Sequence, residues 1–322
     1  MNRTYLFDAD GDDHEVTLSA EQVRGLREDQ LLWVDLSRGD AGETQQLAAL
    51  LDLPPRLLER QLNDSPHPQV VSDGGAFRVD VQSVRVDEGG RLTGMGVSVF
   101  VAPNVLVTVH QDGIDFLKEF AAQQRSNGKV GRLSSGLFLA ALLGWHLTSY
   151  LREVERLEER VDRLDEAILR SAPERDFLED LAAQRRHMGE LRRLLTSHRG
   201  VYATLSRPDF KALADGETAA AFDALEQRFE RAVMSVEGLR DVILGSFDLY
   251  MSSLGRRTND IVRLLTVVTV LTGVGSLIAG LFGMNFELTF EKSGWRGFAL
   301  VVGALLLLFV AVLWAARRRR WV

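Results

Sequence analysis

The chain contains no cysteine, which excludes a disulfide scaffold, a thiol nucleophile and any zinc-finger or iron–sulfur centre. Its seven prolines stop at Pro208, so the last third has no residue that interrupts a helix. The six histidines, at positions 14, 67, 110, 146, 187 and 198, form no pair with metal-ligand spacing. His187 and His198 are eleven apart on one expected helix and read as surface or core residues. There is no Gly-Lys-Ser/Thr phosphate loop, no Gly-x-Ser-x-Gly elbow and no His-Glu-x-x-His pair. These absences argue against an enzyme and against a pump driven by ATP. Met1–Asp10 has no apolar run, and no signal peptide is expected.

What charge there is falls unevenly. Of 322 residues, positions 1–260 hold 43 acidic against 31 basic side chains, whereas 261–322 hold 2 against 7. An acidic polar part does not suit nucleic acid. The C-terminal part has two uncharged runs, Leu264–Phe286 (23 residues) and Gly297–Ala316 (20 residues). Roughly 20 apolar residues of helix cross a hydrocarbon core, so each run is long enough to span. The ten residues Glu287–Arg296 between them allow only an antiparallel hairpin. Arg256, Arg257 and Arg263 precede the first span and Arg317, Arg318, Arg319 and Arg320 follow the second, while the loop charges cancel. Basic residues mark the cytoplasmic side, so both termini are expected there.

The remaining chain mixes short elements up to about position 131. Leu31–Leu36, Ala76–Val86, Leu92–Val101 and Val105–His110 read as strands, with turns at Gly89-Gly90 and Pro103-Asn104. Gln45–Leu51, Pro55–Leu62 and Ile114–Gln124 read as helices. This predicts an α/β domain with a largely antiparallel sheet. From Ser134, Leu147, Leu151, Val154, Leu157, Val161, Leu164 and Ile168 recur at three- and four-residue steps, a coiled-coil-like stripe. Pro173 marks a break before a second helix reaching about Leu205. One further helix is expected from Glu217 to about Gly283, 67 residues, or roughly 100 Å at about 1.5 Å per residue. The division is therefore an α/β domain over 1–131, a helical stalk over 132–260 and a membrane hairpin over 261–322.

Steps of three and four from Asp241 along the long helix give Gly245, Asp248, Ser252, Gly255, Asn259, Val262, Thr266, Thr269, Gly273, Ser276, Gly280 and Gly283. All but Val262 are polar, acidic or glycine, and the flanking positions inside the span include Leu264, Leu265, Val267, Val268, Val270 and Leu271. Two readings stand. Small residues permit close helix packing, and Ser and Thr hydrogen-bond across helices. Alternatively, the stripe lines a water-filled pore on the axis of a symmetric oligomer. The second reading also accounts for Asn259, Asp248 and Asp241, since identical carboxylates facing an axis repel unless cations lie between them. No ionisable residue lies within either span, which favours a passive channel over a proton relay.

The first span ends Gly280-Leu281-Phe282-Gly283-Met284-Asn285-Phe286-Glu287. Gly-Met-Asn closing the first of two C-terminal spans resembles the signature of the CorA family of divalent-metal channels and transporters. Tyr250-Met251-Ser252-Ser253, Thr258-Asn259-Asp260 and Leu264-Leu265-Thr266 are similar to the family's passage from stalk to membrane. The basic, Trp-containing end Arg317–Val322 resembles its tail, and Pro66–Val70 lies near its proline-basic-valine turn.

The resemblance implies a membrane protein of α+β class. It would form a homopentamer in the bacterial inner membrane, with an α/β/α cytoplasmic funnel, long stalk helices, a pore-lining span and an outer span. Its partners would be copies of itself, the lipid bilayer and divalent metal ions, with no nucleic acid and no organic cofactor. Gly283, Met284, Asn285 and Glu287 would form the ion entry. The lining would be Asp248, Ser252, Asn259, Val262, Leu265, Thr266, Thr269, Gly273, Ser276 and Gly280, with Val262 and Leu265 as the apolar gate. Asp223, Glu226, Glu230 and Asp241 are the candidates for a regulatory metal, and the tail arginines would ring the pore base. The transported ion would be Mg²⁺, with Co²⁺ and Ni²⁺ in the same class. The alternative is Zn²⁺ in a ZntB-like, proton-coupled branch; a non-conducting membrane anchor is the third reading. Gly273-Val274 replaces the methionine-proline pair common midway along this span, and the loop lacks the usual Met-Pro-Glu-Leu stretch.

Overall fold

The computed structural model describes residues 3–8, 14–37, 49–58, 67–87, 91–110, 113–125, 134–170, 177–210, 216–283 and 294–318. Among them run seven strands: β1 Arg3–Asp8, β2 His14–Glu15, β3 Gln30–Ser37, β4 Gln69–Asp73, β5 Ala76–Val86, β6 Leu92–Ala102 and β7 Val105–His110. Eight helices accompany them: α1 Ala20–Arg24, α2 Pro55–Leu58, α3 Asp115–Arg125, α4 Ser135–Leu169, α5 Phe177–Thr196, α6 Arg199–Leu205, α7 Gly216–Phe282 and α8 Trp295–Arg318.

The strands form one mixed sheet in the order β2-β1-β3-β7-β6-β5-β4. Every pair is antiparallel except β3 with β7. Valines at 79, 81, 97, 99, 101 and 107 are buried, as expected of β-branched residues in the middle of a covered sheet. β6 and β7 meet through Pro103-Asn104, where Asn104 takes φ 58°, a value asparagine tolerates. β5 and β6 follow the sequence pattern closely, and the Gly89-Gly90 turn lies outside the described residues. The helix expected at Gln45–Leu51 also lies largely outside them. The Val70 segment, likened to a turn, is strand β4.

Charged side chains pin the sheet where it is driest. Arg78 and Asp80 pair at 3.1 Å while nearly fully buried, and Asp80 also accepts from Ser98 Oγ at 2.7 Å and Gln69 Nε2 at 3.0 Å. One carboxylate thereby ties β4, β5 and β6 together, which satisfies it as a buried charge requires.

β4 reaches only as far as Asp80, which pairs with Gln69, so the outer edge of β5 beyond that point needs other partners. Gln82 N–H donates to His198 Nε2 at 2.8 Å. Gln82 C=O accepts from Tyr150 Oη at 2.7 Å and from His146 Nε2 at 2.9 Å. His146 Nδ1 meets the Tyr202 hydroxyl at 2.9 Å. The bond from Gln82 N–H requires an unprotonated Nε2 on His198, and burial disfavours the charged form of both imidazoles. Burial pushes His146 down to about 4 and His198 to about 3, the latter helped by His146 beside it.

The same histidine explains a departure from the expected continuous second helix. Ser197 Oγ donates to Leu194 O at 2.6 Å and His198 Nδ1 to the same carbonyl at 2.8 Å. That carbonyl would ordinarily accept the His198 N–H, which turns to Leu195 O instead. The helix therefore breaks into α5 and α6.

The chain divides into two compact units, Met1–Leu164 with Glu174–Gly245 and Asp165–Pro173 with Ser246–Val322. In the first, α7 buries Phe229, Val236, Leu239 and Ile243 along one face, and Gly136 of α4 lies against Thr218 of α7. In the second, Asp165 accepts from Ser246 Oγ at 3.0 Å. Both α7 and α8 are long and apolar enough to cross a membrane.

Candidate ion pathway on the first span

The uncharged stretch of α7 packs against α8 through Val267 and Leu271, which are buried together with Val312 as their neighbour. Val274, Gly275 and Ile278 continue this face as half-covered positions. At about 100° per residue, Val262, Leu265, Thr266, Thr269, Gly273, Ser276 and Gly280 fall on the other side of the helix, and all seven are exposed. The helix therefore offers its greasy three-four spacing to α8 and leaves its polar stripe uncovered. Leu265 and Val262 are 62% and 53% exposed, two apolar side chains on a face otherwise polar or bare.

The threonines in and beside this stripe share one geometry. Thr266 Oγ1 donates to Val262 O at 2.7 Å, Thr269 Oγ1 to Leu265 O at 2.8 Å and Thr272 Oγ1 to Val268 O at 2.8 Å. Each hydroxyl hydrogen is used inside the helix, and the oxygen lone pairs are left for other donors. Water around a cation points its oxygens inward and its hydrogens outward. A row of acceptors therefore suits a hydrated cation.

Towards the N-terminal end of the second unit, Asp248, Ser252 and Asn259 are exposed. Gly283 closes the described part of α7, its N–H bonded to Ala279 O and Gly280 O. Met284, Asn285 and Glu287 lie outside the described residues, as do Arg319 and Arg320. Arg317 and Arg318 are exposed at the end of α8, with Arg318 5.2 Å from the centre of the Trp314 ring.

The carboxylates considered for a regulatory metal are spread out within one chain. Glu226 accepts from Ser206 Oγ at 2.6 Å, Glu230 pairs with Arg199 at 3.2 Å, and Asp223 and Asp241 are exposed. Among the described residues no three His, Asp or Glu side chains converge as a metal site would need. Val312, which holds the two spans together, carried no sequence signal beyond its place in an apolar run. The close approach of His146 to His198, 4.9 Å between ring centres, was hidden because the residues are far apart in the chain.

The chain is 24% identical over 311 residues to the cobalt/magnesium transport protein CorA of Thermotoga maritima, covering 95% of this chain and 88% of the relative. It is 22% identical to the zinc transport protein ZntB of Klebsiella pneumoniae, covering 92% and 89%. The complete structure of the CorA magnesium transporter from Methanocaldococcus jannaschii superposes with a TM-score of 0.70 at 21% identity, over 99% and 98% of the two chains. A family model described as "CorA-like Mg2+ transporter protein" matches residues 28–318, from just before β3 to the end of the second apolar helix, and the chain belongs to that family.

Proposed function

We propose that the chain assembles as a homopentamer in the inner membrane, with both termini cytoplasmic, and passes a divalent cation, Mg²⁺ foremost, along a central pore. The observation that carries this reading is the uncovered polar stripe opposite the contact between α7 and α8. A lone hairpin has no reason to keep threonines, serine and glycines away from its partner helix and out in lipid. Copies arranged about an axis place them against water instead. In this arrangement α8 is the outer span, residues 1–131 form the funnel and 132–260 the stalk.

The pathway then works by successive outer-shell contacts. Mg²⁺ gives up its water reluctantly, so a neutral amide ring of Asn285 at the mouth, beside Gly283 and Met284, holds the hydrated ion without trapping it. Glu287 raises the cation concentration outside. Ser276, Thr269 and Thr266 accept hydrogen bonds from the ion's water shell. Val262 and Leu265 close the pore by expelling water when the bundle tightens. Asn259, Ser252 and Asp248 line the inner vestibule, and Arg317–Arg320 ring the base of the pore. Asp223, Glu226 and Asp241 act across protomers as regulatory metal contacts. A membrane potential of about 100 mV drives a divalent ion inward with about 4.6 kcal/mol.

The similarity to a named zinc transport protein supports a second reading, Zn²⁺ moved with protons. Flux into liposomes holding the purified protein separates the two, using dyes for Mg²⁺, Co²⁺, Ni²⁺ and Zn²⁺ with and without a pH gradient. Mg²⁺ entry indifferent to the gradient and reduced by Asn285→Ala is the expected result. Zn²⁺ entry alone, rising with the gradient, supports the second reading, and no flux of any metal overturns both.

A further inference from the structure

In the first compact unit a cavity of about 1040 Å³ lies between α5 and α7. Its α5 wall carries Arg185, Arg192 and Arg193, which share one face with Gly189 at three- and four-residue steps, and Arg240 faces them from α7. Arg192 is paired with Glu237 of α7 at 3.2 Å. Arg185, Arg193 and Arg240 make no ion pair among the described residues. Four guanidiniums thus meet two carboxylates, Glu237 and Asp241, and one of these is already engaged.

The groove is kept open by what is missing from it. Gly189 and Gly238 both line it, and a Cβ added at either would meet nothing within 4 Å. Leu244, 47% exposed, supplies an apolar side chain beside the arginines, with Met188 buried behind them. The groove is open to solvent, with nine of its twelve lining residues exposed, and is wide enough to admit a small molecule.

We infer that this groove binds a nucleoside polyphosphate together with its divalent ion. Arginine forks match phosphate oxygens in pairs and hold their charge at any physiological pH. Mg²⁺ is commonly held by one or two carboxylates plus ligand phosphates; in this groove Asp241 takes that role in place of the cross-protomer contact given to it above, and Leu244 packs against the base. The inference goes beyond the transport reading and does not depend on it, because the test reads binding and not flux.

The test uses the full-length protein in detergent, with ATP as probe and calorimetry as readout. Saturable ATP binding is expected, strengthened severalfold by Mg²⁺. Arg185→Ala with Arg193→Ala should weaken it at least tenfold, and Asp241→Asn should abolish the Mg²⁺ enhancement while leaving the metal-free affinity little changed. Because the chain has no cysteine, Gly189→Cys gives a single label site. Maleimide should modify it in the intact assembly and ATP should protect it. No saturable binding to assembled protein overturns the inference, as does binding that ignores the double arginine substitution. Labelling that appears only after the assembly is dissociated shows the groove covered by another copy of the chain, and overturns it too.

Discussion

The hydroxyl of Thr269 donates to the carbonyl of Leu265 at 2.8 Å, so a residue of the proposed lining and a residue of the proposed gate are joined by one bond. The donor of Thr269 is spent inside the helix and its oxygen faces outward as an acceptor. The stripe is thereby set to receive hydrogens from the water shell of a cation and offers nothing comparable to the shell of an anion. Thr269→Val keeps the shape and removes the acceptor. At about 1 kcal/mol for a hydrogen bond, cation flux should fall roughly five- to tenfold, Thr269→Ser should restore it, and the melting temperature in detergent should barely move. Unchanged flux in the valine variant would remove Thr269 from the lining.

Leu271 and Val267 are the buried contacts between the two spans. Leu271→Ala should cost about 2–3 kcal/mol and lower the thermal stability of the purified assembly. Leu277→Ala, at a position 65% exposed in the chain, should cost much less if lipid alone covers it. Calorimetry or a thermal shift assay in the same detergent distinguishes the two.

A Cβ at Gly136 would stand 2.5 Å from Cγ2 and 2.9 Å from Oγ1 of Thr218. Gly136→Ala should therefore destabilise the first unit by about 1–3 kcal/mol, the usual cost of overpacking. Adding Thr218→Ala to that variant should recover most of the loss. Recovery of nothing would place the cost in the backbone of α4 rather than in this contact.

The buried histidines make stability depend on pH. Above about 6.5 both imidazoles are neutral in the folded and the unfolded chain, and their contribution is full. Below that the unfolded chain takes up protons that the folded chain refuses until about 4 at His146 and about 3 at His198. Stability should fall over this window by about 1.4 kcal/mol per pH unit for each histidine. His198→Gln can still accept from Gln82 and donate to Leu194. The difference in unfolding midpoint between wild type and this variant should narrow as pH drops from 7.5 to 4.5. A constant difference would mean that His198 is already protonated in the fold or exposed on a local opening.

The long elements were legible because their periods are strong. β5, β6 and β7 are Val-rich runs bounded by turn residues, and α7 has no proline and a three-four stripe from Asp241 onward. What escaped was short or depended on distant partners. β2 is two residues, too little for any period, and β4 has only Val70 and Val71 to mark it. The parallel pairing of β3 with β7 joins segments some seventy residues apart and leaves no local trace. The break between α5 and α6 could not be read because it depends on Ser197 and His198 taking the carbonyl of Leu194, with His198 drawn to the edge of β5. For the site, the stripe was readable residue by residue. Its relation to Val267 and Leu271 was not, since which face meets α8 is decided by packing.

The most direct measurement of the central claim is cysteine accessibility in this naturally cysteine-free chain. Thr269→Cys and Leu271→Cys stand two residues apart, one on the exposed stripe and one on the face that meets α8. Each is made singly, reconstituted and assayed for Mg²⁺ flux before and after a charged, membrane-impermeant methanethiosulfonate reagent. The pore account predicts that the reagent blocks flux at Thr269→Cys and leaves Leu271→Cys conducting. Block at Leu271→Cys with Thr269→Cys untouched would turn the stripe towards lipid or a packing partner and contradict the account.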